Sequence, residues 1–414
     1  MNRRELFQVA AGTTFAMQAA LAAVKERTPE DIATDEDFWA HIRTEFTIDR
    51  GVLNLNNGYM SPAPRVVQEA QRRLNDSTNM GPYHTMVRQL YPLVETARRR
   101  VAEAAGVDAE EIAITRNSSE ALEIAQFGVE LKRGDEVLTT NQDYGRMLTT
   151  FRQRERREGI VLKEISFPVP SPGMDLLVKR FEEAITPKTK LMMCCHITNL
   201  TGQIFPVKRI AALAHAHGIP LIVDGAHAFN QFPVNIAELD CDYYGVSLHK
   251  WTYAPCGTGF LYVRKSRIKD TWALMASSDR QDNDIRKFEE IGTHPASTFN
   301  AIPEAIAFND SIGIARKTAR LRYLRDRWAN RLAQNPRVRI MHSKELDQSA
   351  GIGNIGFTDL DVRKVSDELQ NKYTIFTAPI VHKEFSGIRI TPNIYTELSE
   401  IDYFSASVEK ILKG

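Results

Sequence analysis

Two side chains in this sequence are spaced for amine chemistry. The run PLIVDGAH delivers Asp224 after four apolar residues, and YYGVSLHKW delivers Ser247, His249 and Lys250 together. A lysine amine forms an imine with an aldehyde, and a carboxylate keeps a pyridine nitrogen protonated so that the ring accepts electrons. Those are the two demands of pyridoxal 5'-phosphate (PLP). Taken singly, each residue also has an ordinary reading: Asp224 as a helix N-cap at a β-to-α turn, Lys250 as a surface residue. Lys250, however, is flanked by Leu248, His249 and Trp251 and precedes the glycine-bearing run PCGTGFLYV. The pair therefore points to a PLP site with the cofactor held as a Schiff base on Lys250.

The elements that must position this pair alternate between strand-like and helix-like segments. EIAITRN reads as a strand, SSEALEIAQFGVEL as a helix opened by Ser118 and Ser119 at the capping position, and DEVLTT as a strand. The rhythm continues through GIVLKEISF, LVKRFEEAI, KLMMCCHI, VKRIAALAHAHG, PLIVDGAH, YYGVSLH and GTGFLYVRK. Strands that are apolar throughout argue for a mostly parallel α/β sheet sandwiched by helices, with ligands at the strand ends. After Pro303 one long helical stretch leads into RVRIMHS, GIGNIGF, a helix and IRITPNIYT, the texture of a smaller α+β domain. The expected division is an N-terminal segment over residues 24–75 that joins the small domain, a large domain over 76–310 and the small domain over 311–414.

Composition excludes several classes. Hydrophobic residues make up 43% and charged residues 25%, so the chain is neither disordered nor fibrous. Lys plus Arg is 53 against 52 for Asp plus Glu, so no net field favours nucleic acid or an anionic membrane. The four cysteines (Cys194, Cys195, Cys241, Cys256) fit no zinc spacing and read as buried small hydrophobes. Residues 1–23 stand apart: Arg3 and Arg4 precede an uncharged stretch that ends in the A-x-A-like Ala20-Leu21-Ala22. That stretch is too weakly apolar for a stable membrane span and resembles a twin-arginine export signal, which implies a periplasmic enzyme. An amphipathic helix on the surface of a cytoplasmic enzyme is the alternative.

The runs VSLHKWTYAPCGTGFLYV and LIVDGAHAFNQFPVN resemble the class V aminotransferase superfamily of PLP fold type I, most nearly its isopenicillin N epimerase-like branch. The likeness extends from LNLNNGYMSPAPRVV to IRITPNIYTELSEID. It implies a sheet of about seven strands and a set of cofactor contacts. In TRNSSEAL, Ser118 and Ser119 would take the phosphate at a helix N-terminus, or serve simply as a cap. In NQDYGRM, Tyr144 would stack on the pyridine ring, and an ordinary loop tyrosine is the other reading. Asn199 in HITNLTGQ and His227 in DGAH would approach the phenolic oxygen, or else brace their loops. Ser247 and His249 would help hold the phosphate. Thr293 in FEEIGTHPAS would reach the phosphate of a partner subunit, which implies a homodimer. Arg389 in IRITPNIYT would clamp a substrate carboxylate, unless it is a plain strand arginine.

Together these residues imply an enzyme acting on the amine of an amino acid or an amino-acid-derived natural product. The export signal adds a resemblance to the periplasmic PLP enzymes that modify pyoverdine-type siderophores. Epimerisation or racemisation, and carbon–sulfur cleavage without an enzyme thiol, are alternatives. A noncatalytic binding protein is a further one, opposed by the intact Lys250 and Asp224. A persulfide-forming desulfurase is not expected: the last cysteine, Cys256, stands only six residues after Lys250.

Overall fold

The computed structural model describes residues 15–413. Arg3 and Arg4, on which the export reading rests, lie outside the described residues. The described helix Phe15–Ala23 packs Met17 and Leu21 into a core with Phe38, Trp39 and Ile42. No helix among the described residues is long and apolar enough to cross a membrane.

In chain order, β1 (Leu53–Asn54) precedes the strands of a seven-stranded sheet: β2 (Ile112–Thr115), β3 (Glu136–Thr140), β4 (Val161–Ile165), β5 (Thr189–Cys195), β6 (Leu221–Asp224), β7 (Tyr243–Ser247) and β8 (Gly259–Val263). Their spatial order is β2-β8-β7-β6-β5-β3-β4, and β8 alone runs antiparallel to its neighbours. The apolar runs have two buried faces. Ile222 and Leu261 pack into one core, whereas Leu221, Val223 and Phe260 pack into the other, because successive strand residues point to opposite sides. Cys194, Cys195 and Cys241 are buried as expected. Cys256 is exposed instead, because it stands in the loop between β7 and β8.

A second sheet holds β9 (Val338–Ile340), β10 (Gly353–Phe357), β12 (Ala378–Val381) and β13 (Ser386–Ile390) in the antiparallel order β12-β13-β10-β9. Strand β11 (Ile375–Phe376) pairs in parallel with β1. Leu53 and Leu55 share a core with Trp328, Leu369, Ile388 and Phe404, which ties the N-terminal segment to the C-terminal elements. The stretch after Pro303 is two helices, Ile302–Ile312 and Ile314–Leu332. They part at Gly313, whose φ of +86° belongs to the left-handed region open to glycine.

One glycine matters for the site. A Cβ on Gly259 would stand 2.5 Å from the Val246 carbonyl oxygen and 2.7 Å from Asn117 Cα, both rigid backbone. The missing side chain lets β8 lie against the turn that opens the helix Ser118–Gly128.

Candidate active site

The C-terminal edges of the parallel strands converge on one cavity of about 400 Å³. Strand β6 ends at Asp224, and β7 ends at Ser247 and turns at once into His249 and Lys250. Beyond β5 the chain reaches Asn199, beyond β3 it reaches Tyr144, and beyond β2 it enters the helix at Ser118. Strand β13 contributes Arg389 from the second sheet. Ser118, Ser119, Tyr144, Asn199, Asp224, His227, Ser247, His249, Lys250 and Arg389 all line this cavity. Thr293 does not: it is exposed and lies outside the lining.

The polar groups fit a phosphate-bearing pyridine aldehyde. At one end the Ser118 backbone N–H donates to Ser247 Oγ at 2.9 Å, and Ser247 Oγ donates to Ser118 Oγ at 2.8 Å. These hydroxyls stand at the N-terminus of an eleven-residue helix, where backbone N–H groups and the helix dipole favour an anion. The cap of that helix is Asn117, one residue earlier than expected, whose side chain accepts from the Glu120 N–H at 2.9 Å. The serines are thereby left free of capping. Glu120 instead takes Arg116 in an ion pair. Deeper in the cavity, Asp224 Oδ1 accepts from the Ala226 N–H at 3.0 Å, and its carboxylate faces Lys250. Among the described residues, buried polar atoms without a protein partner remain on His249 (Nδ1), Asn199 (Oδ1) and Arg389 (Nε), as a site built around a polar ligand requires.

Burial sets the ionisation of the central pair. It pushes the Asp224 carboxyl up to about 6 against the opposing pull of Lys250. It draws the Lys250 amine down to about 8 against the opposing effect of Asp224. A free amine is therefore far more accessible near neutral pH than on an exposed lysine. His227 is held well below the usual imidazole range by burial and by the nearby charges of Lys250 and Arg389. Its Nε2 lies 3.2 Å from Lys250 Nζ.

Arg389 is a buried guanidinium whose bonds run to neutral oxygens: Nη1 to the Asn199 carbonyl at 3.0 Å and Nη2 to Asn56 Oδ1 at 2.7 Å. Burial lowers it to about 10, so it stays charged at neutral pH. It has no acid partner among the described residues; such a buried cation is costly unless an anionic ligand completes it, and its planar fork suits a carboxylate. Asn56, which holds this arginine, was not singled out by sequence, although it lies in the quoted run LNLNNGYM. Tyr59, Met60, Arg146 and Cys256 also line the cavity without having been expected there. The exposed Cys256 brings a thiol to a site where none was anticipated.

Arg389→Lys keeps the charge and loses the fork. It is expected to weaken binding of a ligand carboxylate by about tenfold to a hundredfold, the worth of one charge-assisted hydrogen bond. Titration of the PLP-loaded protein with amino acids, followed by absorbance, measures this. Unchanged affinity would remove Arg389 from the role.

The comparisons agree with this geometry. The family description "Aminotransferase class-V" matches residues 52–379. The chain is 31% identical over 306 residues to the isopenicillin N epimerase of Amycolatopsis lactamdurans, covering 69% of this chain and 76% of that protein. It is 27% identical to the isopenicillin N epimerase of Streptomyces clavuligerus, covering 90% of this chain and 98% of that one. Among solved structures, the cysteine desulfurase CsdA of Escherichia coli superposes with a TM-score of 0.79 at 22% identity, covering 91% of this chain and 98% of its own. A form of C-DES with glycine covalently linked to its PLP cofactor superposes at 0.77 and 22% identity, covering 88% and 98%. Fold, cofactor and family converge: the chain belongs to the class V aminotransferases, PLP-dependent enzymes of fold type I, in their isopenicillin N epimerase-like branch.

Proposed function

We propose that this protein is an exported PLP enzyme that acts on the amine of an amino acid or of an amino-acid-derived natural product. The observation that carries the reading is Arg389, a buried guanidinium with no acid partner among the described residues, in the same cavity as the Lys250–Asp224 pair. A ligand with a carboxylate next to an amine satisfies both at once. When bound, PLP supplies an electron-poor ring that takes up the electron pair left at Cα. Asp224 would keep the nitrogen of that ring protonated. Arg389 orients the carboxylate and with it the bond to be broken. Lys250, drawn toward the free base by burial, takes and returns the Cα proton. The export signal favours a substrate met outside the cytoplasm, and a pyoverdine-type siderophore peptide is the natural product of that description.

Epimerisation is the second reading, favoured by similarity to two isopenicillin N epimerases. Carbon–sulfur cleavage without an enzyme thiol is a third reading, supported by 30% identity over 243 residues to a putative L-cysteine desulfhydrase of Oryza sativa. A homodimer completes the proposal, with Thr293 reaching the phosphate in the partner. The Thr293 segment is pinned where the His294 N–H donates to Tyr91 Oη at 3.2 Å, close in the chain to the exposed Tyr83 and Leu93.

Asp224→Ala is expected to leave Lys250 able to hold PLP while slowing Cα hydrogen exchange in deuterated water. A loss of about 3–4 kcal/mol, on the order of a hundredfold to a thousandfold in rate, matches the removal of one preorganised charge. Exchange at the wild-type rate would contradict the role of Asp224. For export, replacing Arg3 and Arg4 by lysine keeps the charge and removes the paired arginines. Processed protein should then vanish from the periplasm and precursor accumulate inside; an unprocessed wild-type chain confined to the cytosol would refute export.

A further inference from the structure

We propose that Trp251 is a positioning residue that fixes the ring tautomer of His227 and, through it, the hydrogen-bonding state of the Lys250 amine. The inference rests on Lys250 being the reacting amine. Trp251 is fully buried, and its Nε1 lies 3.4 Å from His227 Nδ1. An indole N–H only donates, so Nδ1 must accept and carries no proton. A neutral imidazole then bears its single proton on Nε2, the atom 3.2 Å from Lys250 Nζ. An Nε2–H can donate only to the lone pair of a neutral amine, because an ammonium has none to offer. Trp251 thus selects the ring form that stabilises Lys250 as the free base.

The surroundings keep both rings in place. The Trp251 carbonyl accepts from the buried amine of Lys317, which also donates to Asn309 Oδ1 at 2.7 Å and lies 3.9 Å from the Tyr253 ring centroid. Asn309 Nδ2 donates to the Thr252 carbonyl at 2.7 Å. Two helices, Ile302–Ile312 and Ile314–Leu332, therefore grip the backbone directly after Lys250. The charged and titratable groups facing the amine are Asp224 on β6, Cys195 on β5 and Arg389 on β13; those facing His227 are Lys250, Arg389 and His249. None of them donates to Nδ1, so the indole is the group that breaks the tie between tautomers.

The direct test is nitrogen-15 NMR of the cofactor-free, full-length chain with labelled histidine, His227 being assigned by its loss in His227→Ala. A ring protonated on Nε2 and bare on Nδ1 is expected, and a ring protonated on Nδ1 overturns the proposal. The second test follows amine-directed labelling of Lys250 against pH. Loss of a donor to the neutral amine disfavours the free base, so Trp251→Phe should move the labelling midpoint upward by about one pH unit, a tenfold change in the equilibrium. In the His227→Ala background the same substitution should move it no further. An equal shift in both backgrounds would mean that Trp251 acts by packing alone, which also overturns the proposal. Failure of Lys250 to label at any pH would instead strike at the assignment of the reacting amine.

Discussion

The two sheets of this fold have to support ionisable groups withdrawn wholly or partly from water around one cavity. Asp224 and Arg389 are buried, Lys250 is half-buried, and Asp224 and Lys250 offset each other. Such an arrangement lowers stability, since each ion loses several kcal/mol of hydration. Rigid backing has to supply the difference. The seven-stranded sheet does so by ending β6 and β7 side by side with both faces packed. The smaller sheet brings Arg389 from the other side, and Asn56 and the Asn199 carbonyl hold its fork open.

Much of the large sheet was legible because its strands are unbroken apolar runs, and the residues that follow such runs stand at the cavity. Asp224, Ser247 and Lys250 could be found in this way. Side-chain contacts between distant segments left no local signal. Arg389 and Asn56 are 333 positions apart, and Lys317 reaches Trp251 across 66. Asn117 was missed as the helix cap because asparagine and serine cap about equally well, and three such residues stand in a row. The break at Gly313 was hidden by helix-forming residues on both sides, and only the positive φ reveals it.

Two layers of control act on the Lys250 amine. The first is electrostatic: burial favours the free base and Asp224 opposes it. The second is directional, and runs from the Lys317 amine to the Trp251 backbone, from the indole to His227, and from His227 to Lys250. The open side of the cavity carries the exposed Tyr59, Met60, Tyr144, Arg146 and Cys256.

Borohydride reduction of the PLP-loaded protein, followed by peptide mapping, tests the central assignment most directly. The expected result is a reduced cofactor fixed to Lys250 and to no other lysine. A label on a different lysine, or a cofactor that still dialyses away after reduction, would contradict it.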